Sequence, residues 1–488
     1  MSLARSFIFL TLAEILFNIS GYIVHSAAGR ILSIADYGRY SLIVTLSIMV
    51  VTLIGQGIPI SMSKYLSQYY EKKPELVSVI KRKGLILQSI LIGAITILFF
   101  VCAPLIAKLL KDETLTPLFR LSAFILPMYA IDSLYFYYLT GIHQFNFQSF
   151  LKIMRSILRI TVIVGMIYVW KIQGAIGGYI AVPFLVFLIA LIADWFWISK
   201  KFPRYNSEIS FDWKKLASYA WPITLFMIFY EVLISLDLYF IKSILESDHE
   251  TGIYNSALII ARIPYYLFYA LTIILLPSVS KSTAENNNKK AGQLIYNSIR
   301  FMFIILVPIV ILLSVYAAPA INFVFGAKYL EAVASLQILS YGIGFLTIFY
   351  VLSFALNGAG LAKVPMWTAC AGMILNAILN YIFIQRYGII GSAIATSISS
   401  LAVMIVGIIY TNKYFTNLFR LKDTIKIIGS GIILYLASFL FPPHNLLFIV
   451  WSLVLTLIYL ASLYFLKEIN PKDIDVLKAL FHKKPKNI

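Results

Sequence analysis

Gly38-Arg39-Tyr40 returns as Gly252-Ile253-Tyr254, and Gly174-Ala175-Ile176-Gly177 returns as Gly388-Ile389-Ile390-Gly391, both at an offset of 214 residues. Three further matches keep the same order. Pro59 before Lys64 recurs as Pro277 before Lys281, Ala103-Pro104 as Ala318-Pro319, and Leu139-Thr140-Gly141 as Leu356-Asn357-Gly358, at offsets of 218, 215 and 217. A single pair of this kind arises by chance, because glycine and proline mark helix ends in any apolar chain. Five pairs in one order at nearly constant spacing indicate an internal duplication. Duplicated membrane units build many carriers, with the transport path between the halves.

Composition places most of the chain in lipid. The 488 residues are 60% hydrophobic and 12% charged, with a mean hydropathy of +0.87, whereas soluble domains carry about 25% charged residues. The apolar runs are roughly 20–27 residues long, enough to cross a ~30 Å hydrocarbon core as helix. Barrel strands would be ~10 residues long with alternating polarity, and that pattern is absent. Fourteen spans are expected, at 6–32, 38–63, 84–107, 115–140, 147–170, 174–198, 215–241, 253–279, 293–318, 329–357, 363–384, 388–411, 424–441 and 445–466.

The formal charge of +19 is distributed as a topogenic signal, which argues against a nucleic-acid partner. With the N-terminus in the cytoplasm, 30 of the 40 Lys and Arg lie in inside segments and 9 in outside loops, with Arg262 within a span. Cytoplasmic loops carry such an excess, so both termini are expected in the cytoplasm, in a multi-pass protein of the cell (inner or plasma) membrane. Cys102 and Cys370 both fall within spans and suggest neither a disulfide framework nor a metal site. The N-terminal apolar run is too long for a signal-peptide core and reads as the first helix.

The repeat offset spans six helices. Six is even, so the second copy enters the membrane in the orientation of the first. The expected fold is an all-α polytopic membrane protein of 14 transmembrane helices, with two parallel six-helix lobes plus two extra C-terminal helices. Residues 1–205 form the N-terminal lobe and 206–413 the C-terminal lobe. Residues 414–488 hold helices 13 and 14 and a basic cytoplasmic tail. The stretch Lys200–Lys215, with Pro203, Trp213 and five cations, is the expected linker between lobes.

Three stretches carry a resemblance: Gly29-Arg-Ile-Leu-Ser-Ile-Ala-Asp-Tyr-Gly-Arg-Tyr-Ser41, Phe325-Gly-Ala-Lys-Tyr-Leu-Glu-Ala332 followed by Leu339, and Leu356-Asn-Gly-Ala-Gly360 through Asn376 and Asn380 to Gly388-Ile-Ile-Gly-Ser-Ala-Ile-Ala395. In these the chain resembles the oligosaccharide and polysaccharide flippases of the multidrug/oligosaccharidyl-lipid/polysaccharide (MOP) exporter superfamily. The resemblance covers nearly the whole chain. It implies a MATE-like fold of two six-helix lobes around a central cavity, and movement of a lipid-linked oligosaccharide between leaflets. The lipid II flippases resemble the chain in helix count, but their arginine-rich opening is not found here.

Ionisable residues within spans usually face a water-filled cavity. Glu14 and Glu231 are related by an offset of 217, as are Tyr22 and Tyr239. Asn18, Gly21 and His25 follow Glu14 at +4, +7 and +11, which places one polar stripe on a helix face. This stripe reads as a proton or sodium site or as hydrogen bonds to sugar hydroxyls; the alternative for Glu14 is snorkelling to the nearby cytoplasmic surface. Arg262 is expected at the depth of Glu231, either in an ion pair with it or holding a pyrophosphate. Guanidinium suits phosphate through its bidentate fork. Lys152, Arg155 and Arg159 lie at i, i+3 and i+7 and form one basic face, read either as a headgroup entry surface or as ordinary inside charge. Arg30 and Asp36 are expected to pair. Asp132, Asp194 and Asp237 are weaker candidates. Asn376 and Asn380 either line the cavity or bond helix to helix. Tyr135, Tyr137, Tyr138, Tyr265, Tyr266 and Tyr269 are read as interfacial belts, with sugar stacking as the other reading.

Walker A, HExxH, GxSxG and CxxC signatures are absent, so the chain is not expected to be an enzyme. No cofactor is implied, and energy would come from a proton or sodium gradient, the membrane potential or the substrate gradient. Three functions compete. A flippase for lipid-linked oligosaccharide would want a cationic, aromatic cavity. A MATE-type drug or cation antiporter would want acidic walls. A polytopic polymerase or ligase would want a long outer loop, and the outer loops are short. The pathway residues are then Glu14, Asn18, His25, Arg155, Arg159, Glu231, Arg262 and Asn376. The expected partners are the lipid-linked substrate and the bilayer, with the chain acting as a monomer in association with glycan-assembly enzymes.

Overall fold

A computed structural model describes residues 3–55, 57–203, 214–285, 287–415, 421–442 and 446–468. The expected linker therefore lies mostly outside the described residues, as does the basic tail beyond Glu468. In hydrocarbon every backbone N–H and C=O must be satisfied within its own segment, which selects helix. Seventeen α-helices follow, with no strand among the described residues. They are α1 (Leu3–Ile31), α2 (Ile34–Gly55), α3 (Gly57–Tyr69), α4 (Glu75–Leu109), α5 (Thr116–Ser122), α6 (Ile125–Gly141), α7 (Phe145–Leu158) and α8 (Val164–Ala193). The second half continues with α9 (Lys214–Leu245), α10 (Asp248–Ala261), α11 (Ile263–Ala284), α12 (Asn288–Val315), α13 (Ala317–Val324), α14 (Val333–Gly358) and α15 (Lys363–Tyr414). The last two are α16 (Leu421–Ser438) and α17 (Leu447–Phe465). The bundle end near Ile31 is called outer, after the charge distribution, and the opposite end inner.

Eight stretches among the described residues are long and apolar enough to cross a membrane. Two of them, 145–201 and 363–414, each hold two of the expected spans. The chain reverses there with almost no loop, at Lys171 (φ 51°, ψ −127°) and at Gly388 (φ 57°, ψ −139°).

These reversals sharpen the duplication. Positive φ recurs in matched pairs: Lys111 with Gly326, His143 with Gly360, and Lys171 with Gly388, at offsets of 215, 217 and 217. A Cβ on Gly174 would meet the Met166 carbonyl oxygen at 1.9 Å, and one on Gly391 would meet the Phe383 oxygen at 2.1 Å. The matched residues here are Gly174 and Gly391, an offset of 217. The pairing of Gly174 with Gly388, read from the sequence alone, is thus out of register by three, because the shared G-x-x-G spacing disguises the turn.

The halves meet through α2 and α10. A Cβ on Gly38 would lie 2.1 Å from the Asp248 oxygen, and one on Gly252 would lie 2.2 Å from the Ile34 oxygen. The two backbones touch where each half carries its copy of the same glycine. Asn255 donates to Ser41 Oγ at 2.8 Å and to Tyr37 Oη at 2.9 Å, and Asn255 is the repeat mate of Ser41. Only residues on a two-fold axis touch their own mates, so this seam marks the pseudo-symmetry axis.

Charges brace the same end. Lys242 reaches Asp112 at 2.9 Å and Asp248 at 2.5 Å, and Arg39 reaches Asp248 at 2.6 Å. Arg30 donates to the Phe323 and Val324 carbonyls and does not pair with Asp36; the helix end it caps sits against α13, which supplies those acceptors. Tyr329 donates to the Gly29 carbonyl at 3.1 Å.

Overpacking a close contact costs about 1–3 kcal/mol. Gly38→Ala and Gly252→Ala are expected to lower the thermal unfolding midpoint in detergent. Gly93→Ala, where an added Cβ meets nothing within 4 Å, should leave it unchanged.

Candidate functional site

Below the seam lies a cavity of about 340 Å³ between the halves. Six residues of α1 line it: Glu14, Phe17, Asn18, Gly21, Tyr22 and His25. The polar stripe expected from spacing therefore falls into one cavity. Eleven residues of helix rise make it roughly 16 Å tall. α2 adds Ile48 and Thr52, and α6 adds Tyr129. The second half contributes Glu231, Ile234, Ile259, Arg262, Tyr265 and Tyr266.

Both cavity arginines sit at helix irregularities. Arg159 opens a π-helical turn, Arg159–Ile163, between α7 and α8; such turns insert one extra residue and re-aim the side chains around them. Its guanidinium lies 4.6 Å over the Phe17 ring and donates to the Phe17 carbonyl at 3.3 Å. Arg262 occupies the break between α10 and α11. Pro264 forces that break, since proline lacks an N–H and its ring clashes with the carbonyl four residues back. Arg262 donates to the Ile234 carbonyl at 2.5 Å and the Ser235 hydroxyl at 3.2 Å, so it is not ion-paired with Glu231. The Nε atoms of both arginines are buried without a hydrogen-bond partner, and each residue is 7% exposed.

The basic face of α7 divides its charges. Lys152 pairs with Glu14. Arg155 pairs with the buried Asp132 at 2.6 Å, and its guanidinium packs 4.6 Å from the Tyr129 ring centre. Only Arg159 of the three has no carboxylate partner. Arg155, expected to line the path, is instead a buried structural cation. Asn376 also lies outside the cavity lining: it donates to Ser399 and Thr396, and Asn380 donates to it in turn. Asn376 is the repeat mate of Arg159. Its side chain is too short to leave α15, so it bonds across the two arms of that helix.

The remaining acids are satisfied elsewhere. Asp194 pairs with Lys81. Asp237 accepts from Tyr254 at 2.5 Å and from Thr396.

Tyr265 and Tyr266 face the cavity and do not form a belt. Tyr265 is wedged between Tyr230 and Tyr350, at centroid distances of 5.9 and 4.9 Å. Tyr266 meets Tyr22 edge-on at 6.1 Å. The side chain of Tyr269 lies outside the described residues. Sequence reasoning missed Phe17, Tyr129 and Tyr179 as lining. Phe17 was readable, because it precedes Asn18 on the stripe and sits opposite the α7 cations.

The arrangement is a tall, aromatic-walled chamber with one underpaired guanidinium from each half. A profile of the family described as polysaccharide biosynthesis protein matches residues 3–283, more than half of the chain. The chain belongs to this family. The MatE profile matches residues 222–382 of the chain. A membrane protein of Methanocaldococcus jannaschii is 25% identical over 417 residues, covering 81% of each chain. The probable low-salt glycan biosynthesis flippase Agl15 of Haloferax volcanii is 29% identical over 168 residues, 34% of each chain. Among solved structures, the lipid II flippase MurJ in an inward closed conformation aligns with a TM-score of 0.71 at 19% identity, covering 94% of this chain and 99% of that one. That likeness shows that the two chains share a fold.

Removing one partner of a buried ion pair costs about 3–5 kcal/mol, whereas replacing both with apolar groups is often neutral. Asp132→Leu and Arg155→Met are each expected to lower the unfolding midpoint, and the double variant to recover most of the loss. A double variant no better than the sum of the singles would remove the structural role assigned to Arg155.

Proposed function

We propose that the protein is a flippase that moves a lipid-linked oligosaccharide, a polyprenyl-diphosphate glycan, from the cytoplasmic to the outer leaflet for cell-surface glycan assembly. The observation that carries this reading is the pair of underpaired guanidiniums, Arg159 and Arg262, facing one aromatic-lined cavity from opposite halves. A buried charge without a counter-charge is costly, and a diphosphate supplies that counter-charge with bidentate geometry. The tyrosines offer flat faces for sugar rings. Family membership and relatives named as flippases support the same reading.

In this proposal residues 1–205 and 206–413 act as two lobes, and fourteen helices cross a plasma membrane with both termini in the cytoplasm. The seam at Gly38 and Gly252 shuts the outer end, so cargo enters from the inner leaflet and leaves when the lobes rock apart there. The diphosphate enters the cavity while the polyprenyl tail stays in lipid. Glu231 is the candidate site for proton or sodium coupling, because Lys152, which neutralises Glu14, has Ala369 as its repeat mate. A drug or cation antiporter fits less well. With Glu14 paired, the cavity walls carry Arg159 and Arg262 against Glu231 alone.

The test is translocation of a fluorescent polyprenyl-diphosphate sugar in proteoliposomes, against efflux of a cationic dye. Charged hydrogen bonds contribute about 1.5–3 kcal/mol. Arg159→Gln and Arg262→Gln should therefore each slow flipping roughly ten-fold or more at unchanged expression. An imposed proton or sodium gradient should accelerate the wild type and not Glu231→Gln. Dye efflux without lipid flipping contradicts the proposal.

A further inference from the structure

His25 is the chamber-lining residue of α1 nearest the seam. We propose that its Nε2–H donates to a phosphate oxygen of the cargo, and that a hydrogen-bond chain across the seam keeps the proton on that nitrogen while the outer end is shut. The inference rests on the diphosphate cargo proposed above and adds a third residue that holds it.

The chain of contacts is the first support. Asn255 of α10 donates to Tyr37 Oη of α2 at 2.9 Å, across the seam. Tyr37 Oη in turn lies 3.3 Å from His25 Nδ1. A tyrosine hydroxyl has one proton to give, and a neutral imidazole accepts at one ring nitrogen and donates from the other. Asn255 fills a lone pair of the hydroxyl, so the Tyr37 proton goes to Nδ1 and the imidazole proton stays on Nε2. The hydrogen bond made by one ring nitrogen thereby sets what the other can do. Among the described residues Nε2 has no protein partner.

The setting of the ring is the second. Tyr37 meets it edge-on at 6.3 Å between centroids, and Tyr40 flanks it at 5.6 Å. Tyr37 is fully buried, against Phe325 and Tyr329 at 5.5 and 5.7 Å. His25 itself is half-buried and lines the chamber. Depth is the third support. A Cβ on Gly21 would lie 3.4 Å from Arg159 Nη2, so that guanidinium sits at the level of Gly21. His25 follows Gly21 by four residues, which puts it on the same face of α1 and about 6 Å nearer the seam. A diphosphate held by one phosphate on the Arg159 fork brings its other phosphate to His25.

The same chain makes this contact conditional on the seam. When the halves part, Asn255 leaves Tyr37, and the freed oxygen can accept from an Nδ1–H. The other tautomer is then satisfied by Tyr37, and it turns a bare lone pair of Nε2 towards the phosphate. A donor that holds cargo while the outer end is shut is thus withdrawn as that end opens, which favours release there.

The test reads the tautomer by solid-state 15N NMR of the full chain, labelled at histidine and reconstituted in lipid, with the His25→Gln spectrum subtracted to isolate the signal. In the wild type Nε2 should carry the proton and Nδ1 should accept. Asn255→Leu should move the population towards Nδ1–H. A wild-type ring protonated on Nδ1, or on both nitrogens, overturns the proposal, as does a tautomer ratio that Asn255→Leu leaves unchanged. Binding of geranylgeranyl diphosphate supplies the cargo arm. His25→Phe should weaken it roughly ten-fold, as loss of one charged hydrogen bond predicts, and should leave affinity for geranylgeraniol, which lacks phosphate, unchanged. His25→Gln, whose amide keeps a donor, should recover most of the loss. Equal losses for diphosphate and alcohol in His25→Phe, or no loss for either, overturn this proposal alone. A wild-type chain that binds no isoprenyl diphosphate overturns the flippase reading and this inference with it.

Discussion

Gly38 and Gly252 bring two helix backbones into direct contact at the outer end, and the rest of the arrangement follows from that contact. Any side chain at either position would strike a carbonyl of the partner helix. Because the two glycines are copies of one ancestral position, the contact lies on the pseudo-two-fold axis. Helices pinned together at one end on an axis can diverge only towards the other. The chamber below the seam, between α1 and α11, is that divergence. The Lys242, Asp112, Asp248 and Arg39 network adds charge pairing across the same seam, where exposure is partial and screening by salt is reduced.

Within the chamber the symmetry is broken where chemistry is needed. Arg159 lines the chamber while its copy Asn376 does not, and Arg262 has Ile48 as its copy. Each half therefore supplies one guanidinium, at non-equivalent positions. The two glutamates are equivalent in sequence and unequal in circumstance, since Lys152 neutralises Glu14. In the proposed function, the duplicated scaffold supplies closure and rocking from symmetric parts, and polar asymmetry gives the cargo one orientation.

The duplication and the α1 stripe were legible because both are periodicities. Regular spacing in sequence becomes a shared face or a shared turn without further information. The partners of Arg155 and Asn376 were not legible, for the opposite reason. Whether a buried polar group faces a cavity or a partner depends on Asp132 and Ser399, which are distant in sequence and carry no signal of adjacency. Tyr265 and Tyr266 resembled an interfacial belt because the break at Pro264, which turns them inward, lies just before them.

The central claim is that cargo leaves only when the seam parts. Ser41 and Asn255 touch across it, so Ser41→Cys with Asn255→Cys, joined by a short reducible thiol crosslinker, locks it shut. Flipping of the fluorescent lipid-linked sugar should then stop and return on reduction, while either single cysteine variant treated alike keeps its rate. Undiminished flipping by the crosslinked chain would contradict the account.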